Sequence, residues 1–336
     1  MIGLLLVSLM TVPAARGDRT VLVGDVPSYT FDSAPRNGVL VRTLEDLRGR
    51  PALFEFWGTR CPSCVQNAVP LALKLQETWG EDLQVVLVEV QGAGDDEAAR
   101  FALRQRWFGG RSLWTSEMPF WPGGNMLPTS ALIGNQGQVL WKGNPLTHAR
   151  EIERLVAEQV RLRRAPPDAA PAVLHPAWSE LLRGNVGRAS RFATDVEQRP
   201  PSEPIAQAIL RDGLAALRRE IDARFAQIAA LAEAGLLDEA DARLDELRRG
   251  TKDDPSLQAR AEQIAARWSS ESTRVERDAA RQLARLLSRY HESGGEPELG
   301  RELVRFSERF AGTKAGARAA DWARLSAPAV PAARAR

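Results

Sequence analysis

Between residues 52 and 164 the spacing of apolar positions changes period several times. Ala52-Leu53-Phe54-Glu55-Phe56-Trp57 is a short apolar and aromatic run broken by one acid, the pattern of a buried strand. Residues 65–79 carry Val69, Leu71, Leu73 and Leu75 in a stretch that reads as a helix. Leu83-Gln84-Val85-Val86-Leu87-Val88-Glu89-Val90 reads as a second strand. Residues 95–107 open with Asp95 and Asp96, acids suited to the positive end of a helix dipole, and predict a second helix. Ser130-Ala131-Leu132-Ile133 and Gln138-Val139-Leu140-Trp141 flank Gly134-Asn135-Gln136-Gly137, a hairpin signal, and residues 149–164 close the series as a helix. The predicted order is β-α-β-α-β-β-α.

Residues 165–176 include Pro166, Pro167, Pro171 and Pro176 among alanines, too broken for a helix and suited to a semi-rigid spacer. From Trp178 onward the pattern is helical almost throughout, with breaks near residues 199–204, 250–255 and 294–297. The segments around Gly184 and Gly235 resemble each other weakly, each pairing a turn glycine with an amphipathic helix, and a third echo lies around 293–299. Stacked hairpins of tetratricopeptide-like type and an unclassified helical bundle are both compatible with this. The expected division is a leader at 1–17, an α/β domain at 18–165, a Pro/Ala-rich linker at 166–176, an α-helical domain at 177–325 and a disordered tail at 326–336.

The leader expectation rests on residues 2–15, which carry no charge, include Leu4-Leu5-Leu6-Val7, and precede the small residues Ala15 and Gly17. They read as a signal-peptide core, placing the protein in an exported, extracytoplasmic setting. No other segment is long and apolar enough to span a bilayer. Across 336 residues, 45 basic and 43 acidic side chains leave a net charge of +2, too little to attract nucleic acid over long range.

The two cysteines sit together as Cys61-Pro62-Ser63-Cys64, at the turn between the first strand and the first helix. A structural zinc would need about four ligands, and His148, His175 and His291 are isolated from the pair, so neither a metal nor another cofactor is expected. A cysteine at a helix N-terminus has its thiolate stabilised by free amides and the dipole, which lowers its pKa from ~8.5. Cys61 is the candidate nucleophile, Cys64 the resolving thiol, and Cys61–Cys64 the candidate redox-active disulfide.

The run from Phe54 to Cys64, preceded by Leu44-Glu45-Asp46-Leu47-Arg48-Gly49-Arg50-Pro51 and followed by Leu127-Pro128-Thr129, resembles exported thioredoxin-fold proteins of the TlpA/ResA/DsbE kind. The resemblance covers about residues 25–165. It implies an α/β thioredoxin-like domain, a thiol-disulfide oxidoreductase activity, and protein thiols or disulfides as partners; the all-α helical-hairpin domain expected after it lies outside the resemblance and rests on the helical pattern of residues 177–325. It also implies a cis Pro128 that faces the cysteines and, with Leu127 and Thr129, shapes the groove for substrate backbone. Glu55 falls where thioredoxins carry a buried acid that exchanges a proton with the second cysteine; a strand-edge acid is the alternative. Arg60 stands where the family has Trp, which makes it a candidate for tuning the Cys61 pKa. Asn67 occupies a position where members of this branch often carry Glu, and Pro70 falls one residue later than the usual helix proline.

The interval 107–126 holds Trp107, Phe108, Trp114, Phe120 and Trp121. Either these aromatics wall the substrate groove, with Trp57 and Trp121 as its contacts, or they pack beneath the sheet. The helical half is expected to recruit a protein partner. Two other functions compete: a soft-metal module holding Cu(I), with Met118 and Met126 the only methionines nearby, and a helical scaffold with a vestigial thioredoxin domain.

Overall fold

The structure is a computed structural model that describes residues 20–326 other than 39, 109 and 269. The expected leader and most of the expected tail lie outside the described residues. The α/β part contains β1 (Ala52–Trp57), α1 (Val69–Trp79), β2 (Gln84–Glu89), α2 (Asp95–Arg104), β3 (Leu113–Thr115), β4 (Thr129–Ile133), β5 (Val139–Gly143) and α3 (Pro145–Arg163). The strands form one sheet in the order β3-β2-β1-β4-β5. β1 pairs parallel with β2 and antiparallel with β4, while β2 pairs parallel with β3. A central β1 buried on both faces accounts for its nearly continuous apolar run. This topology, with the cysteine pair at the turn from β1 into the first helix, is thioredoxin-like.

β3 was not expected from the sequence. Its three residues are too few to show a period, and the interval that contains it reads as a loop. Four of the five aromatics in that interval, Trp107, Phe108, Trp114 and Phe120, are buried in the core, so packing beneath the sheet and not a groove wall is their role. Phe120 lies edge-on against Phe54 and Phe56 on one face of the sheet. Trp57, Trp107 and Trp114 form a cluster on the other.

After α3 the chain continues as α4 (His175–Leu182), α5 (Val186–Glu197), α6 (Pro204–Glu233), α7 (Leu237–Gly250), α8 (Pro255–Arg267), α9 (Glu271–Glu292), α10 (Pro297–Arg309) and α11 (Lys314–Arg324). Gly184, Gly235 and Gly294 lie at the turns leading to α5, α7 and α10 with φ of 87°, 78° and 77°, a conformation that glycine adopts without a Cβ penalty. Helix lengths run from 8 to 30 residues, so successive hairpins are not copies of one unit.

Burial divides this half in two. Residues of α4–α8, such as Trp178, Leu181, Leu214, Leu217, Leu244 and Ala261, enclose their own core. Residues of α9–α11, such as Leu283, Tyr290, Leu303 and Trp322, share a core with Leu103, Phe108, Trp57 and both cysteines. Phe108 meets Trp322 edge-on at 5.0 Å, and His291 lies 4.5 Å from Trp322 between ring centres. Arg36 crosses the same junction, paired with Asp96 at 2.8 Å and Asp321 at 2.9 Å. On a different side, Glu81 pairs with Arg243 of α7.

Candidate active site

The cysteine turn leaves the carboxyl end of β1. Cys61 N–H donates to the Gly58 carbonyl at 3.1 Å and Val65 N–H to the Cys61 carbonyl at 3.1 Å, so a helix begins directly after Cys61. Residues Cys64–Ala68 are wound as a π-helix, in which Val69 N–H reaches back to the Cys64 carbonyl, before α1 resumes α geometry. Pro70 follows this segment and has no N–H to give to an α-helical bond, so the wide turn sits where the helix ladder is already broken.

Cys61 and Cys64 are joined as a disulfide, with Cα atoms 5.3 Å apart. Cys61 retains 8% of its surface and Cys64 none. The Cys64 amide donates to the Cys61 sulfur at 3.2 Å, and the Ser63 hydroxyl lies 3.5 Å from it. The accessible sulfur is therefore the one that receives a helix-start amide, the placement that favours a thiolate. Among the described residues no group of three or more His, Cys, Asp or Glu is arranged to hold a metal ion, and no helix is long and apolar enough to cross a membrane.

Glu55 lies in mid-strand and is fully buried, opposite Ser130 in the β1–β4 register. Alternation along β1 puts it on the same face as Leu53 and Trp57, whose side chains pack in the cluster that includes both cysteines. The Ser130 hydroxyl donates to one carboxyl oxygen, and the other has no hydrogen-bond partner. Desolvation outweighs that single bond and pushes the carboxyl up to about 8.

The Leu127–Pro128 bond is cis. Because Phe56 pairs with Thr129, the register carries Pro128 alongside Trp57, at the sheet end from which the cysteine turn departs. Pro128 and Thr129 line an open surface pocket of about 360 Å³, together with the loop 122–126 and residues 142–144. Met126, 82% exposed, stands at its edge. Leu127 is half-buried against the cores on both sides of the sheet. Trp121 is half-exposed, its indole N–H given to the Gly124 carbonyl at 3.2 Å and its ring on Phe56. Trp57 requires correction as a groove contact: it is fully buried among Phe101, Trp107 and Trp114, where no docked chain can touch it.

Arg60 is exposed, and its guanidinium donates to the Gln91 backbone carbonyl at 3.1 Å, so it leans toward the loop after β2. Gln91 itself was missed by sequence reasoning. Its side-chain carbonyl accepts the Arg60 N–H at 2.8 Å, and its own N–H is held by the buried carboxylate of Glu89 at 2.9 Å. The only available signal was a second acid, Glu89, inside an apolar strand.

No protein-family profile matches the chain, and no curated protein matches it. Solved structures are similar to its first part. One is a putative thiol:disulfide interchange protein DsbE from Chlorobium tepidum, 23% identical over 42% of this chain and 99% of that one, with a TM-score of 0.33. Another is a putative thioredoxin from Neisseria meningitidis, 22% identical over 39% and 89%, with a TM-score of 0.32. A third is the thioredoxin domain of a thiol-disulfide oxidoreductase from Bacteroides vulgatus, 15% identical over 41% and 99%, with a TM-score of 0.33. The β3-β2-β1-β4-β5 sheet and the cysteine turn leaving β1 are thioredoxin-like in their own right.

Proposed function

We propose that the protein is an extracytoplasmic thiol-disulfide oxidoreductase whose working couple is Cys61–Cys64. The unequal exposure of the two sulfurs at one helix start carries this reading. In the reducing direction, the Cys61 thiolate attacks one sulfur of a substrate disulfide; the substrate S–S bond breaks and its other sulfur leaves as a thiolate that takes up a proton. Cys64 then loses its proton and attacks the Cys61 sulfur, releasing the second substrate thiolate and closing the Cys61–Cys64 bond. The oxidising direction is the reverse. Glu55, with its carboxyl near 8, is the group that takes the Cys64 proton and returns it.

Pro128, Thr129 and Leu127 provide the surface beside which substrate backbone docks, with Trp121 at its margin. Arg60 adds a positive charge near Cys61 and lowers its pKa by less than the helix start does. The helical half recruits or orients a protein partner, and the uncharged run at residues 2–15 is the basis for export.

Trapping tests the assignment of roles. Cys64→Ala is expected to accumulate mixed disulfides through Cys61, since attack persists and resolution is lost. Accumulation in Cys61→Ala instead would reverse the roles. Accumulation in neither, together with an alkylation midpoint for Cys61 above ~8.5, would remove the activated-nucleophile reading.

A further inference from the structure

Gln91 occupies a place that the oxidoreductase reading leaves unused. It lies in the loop after β2, and that loop is pinned from beneath by a buried carboxylate. Glu89 is 2% exposed and accepts both Gln91 N–H and Ala93 N–H, at 2.9 Å each. One oxygen serves each amide, so the loop has a fixed foot. From it the Gln91 side chain reaches across to the cysteine turn, where its Oε1 accepts the N–H of Arg60, the residue before Cys61. The Gln91 backbone carbonyl accepts from the Arg60 guanidinium as well, so Arg60 is held at both ends by one residue.

The contact leaves no room for a side chain on the opposing strand end. A Cβ at Gly58 would fall 2.2 Å from Gln91 Cδ and 2.3 Å from its Oε1. Gly58 is glycine here for space, so that the glutamine can lie over the backbone between β1 and the nucleophile. The same turn is closed by the Cys61 N–H to the Gly58 carbonyl. The Arg60 N–H to Gln91 Oε1 and the Cys61 N–H to the Gly58 carbonyl both tie down the backbone that leads into Cys61, and Gln91 supplies the first of them.

We infer that Gln91 is a positioning residue for the cysteine pair, holding the 58–61 turn so that the Cys61 sulfur stays on the Cys64 amide. The inference rests on the oxidoreductase reading for its purpose but not for its test. A turn released from Gln91 lets the sulfur drift from the amide, and a thiolate that loses part of such a charge-assisted bond is less stable. Gln91 acts through the turn and touches no substrate.

The experiment follows alkylation of reduced Cys61 by iodoacetamide against pH in the full chain, alongside thermal unfolding. Gln91→Met keeps length and bulk without the acceptor. It is expected to raise the Cys61 midpoint by about half a unit, so that alkylation below the midpoint slows about threefold. Gly58→Ala, which pushes the glutamine aside, is expected to do the same, and the double variant Gly58→Ala/Gln91→Ala to do no more than Gln91→Ala alone. Gln91→Glu keeps the acceptor but adds a charge, so its midpoint is expected to return toward wild type at high salt, whereas that of Gln91→Met does not. Superimposable profiles for wild type, Gln91→Met and Gly58→Ala would overturn the inference, whatever their unfolding temperatures. Additive effects of Gly58 and Gln91 would overturn it too, by showing that the glycine acts through something else. A wild-type chain that sets up no reversible Cys61–Cys64 equilibrium with glutathione would defeat the oxidoreductase reading instead, and the alkylation profiles would still decide the role of Gln91.

Discussion

Helices α4–α8 and α9–α11 belong to one alanine-, leucine- and arginine-rich stretch, yet they bury their apolar faces in different places. α4–α8 close on themselves around Trp178, Leu214 and Leu217. α9–α11 deliver Leu283, Tyr290 and Trp322 to the core that also contains Leu103, Phe108 and the cysteines. The proline-rich stretch is where the composition changes, but the change of core comes a hundred residues or so later, between α8 and α9. What an amphipathic pattern reveals is that a face will be covered, not which partner covers it.

The largest effect expected from breaking this contrast is on Trp322. Trp322→Ala removes the ring that meets Phe108 and His291 and is expected to cost about 3–5 kcal/mol. Amide exchange in α2 should rise with it. Leu217→Ala, inside the α4–α8 core, is expected to cost about 2–5 kcal/mol and to leave α2 protection unchanged. Equal loss of α2 protection in both variants would mean that the two helical groups form one cooperative unit.

Two buried titratable groups, one in the sheet and one at the α9–α11 junction, should tilt stability in opposite directions with pH. Glu55 keeps its proton to about pH 8 when folded, against an ordinary value near 4.5. The native state binds the extra proton across that window, so stability falls as pH rises through it, by on the order of a few kcal/mol. His291 is pushed down from 6.5 to about 4, chiefly by burial. Here the unfolded chain binds the extra proton, so stability falls as pH drops from 6.5 through 4, by up to about 3 kcal/mol. Urea midpoints between pH 4 and 9 should therefore lose their alkaline slope in Glu55→Gln and their acid slope in His291→Leu. An unchanged alkaline slope in Glu55→Gln would mean that water reaches the carboxyl.

The contrast between legible and illegible parts follows a physical line. β1, β2, the β4–β5 hairpin and the first three helices each carry a local period or a turn signal, and Cys61, Cys64 and the Leu127-Pro128-Thr129 run stand out as letters in a row. Trp57 did not reveal its burial, because an aromatic at the end of a strand suits a groove and a core equally well. β3 is too short for a period. Gln91 matters only through residues some thirty positions away, and no local pattern encodes a glutamine lying across a glycine. The docking of α9–α11 is hidden for the same reason, being a match between surfaces far apart in the chain.

The smallest effect is expected from the polar seam. Arg36 lies between Asp96 and Asp321 with its own side chain 14% exposed and the two acids 41% and 47% exposed. Asp321→Asn should cost about 0.5–1 kcal/mol, and a double-mutant cycle with Arg36→Ala should recover a coupling of that size. A coupling near zero would mean that the junction is held by its apolar and aromatic packing and not by this ion pair.

That junction also sets a timetable for synthesis. Phe108 and Leu103 are made early, but α9–α11, which cover them, begin only after roughly 160 further residues. At ~5–20 residues per second the uncovered face waits on the order of ten to thirty seconds. For that interval the nascent chain presents an apolar and aromatic surface that α9–α11 will later cover. The α/β part therefore completes its core only when α9–α11 arrive, and losing those helices would leave the Leu103 and Phe108 face uncovered.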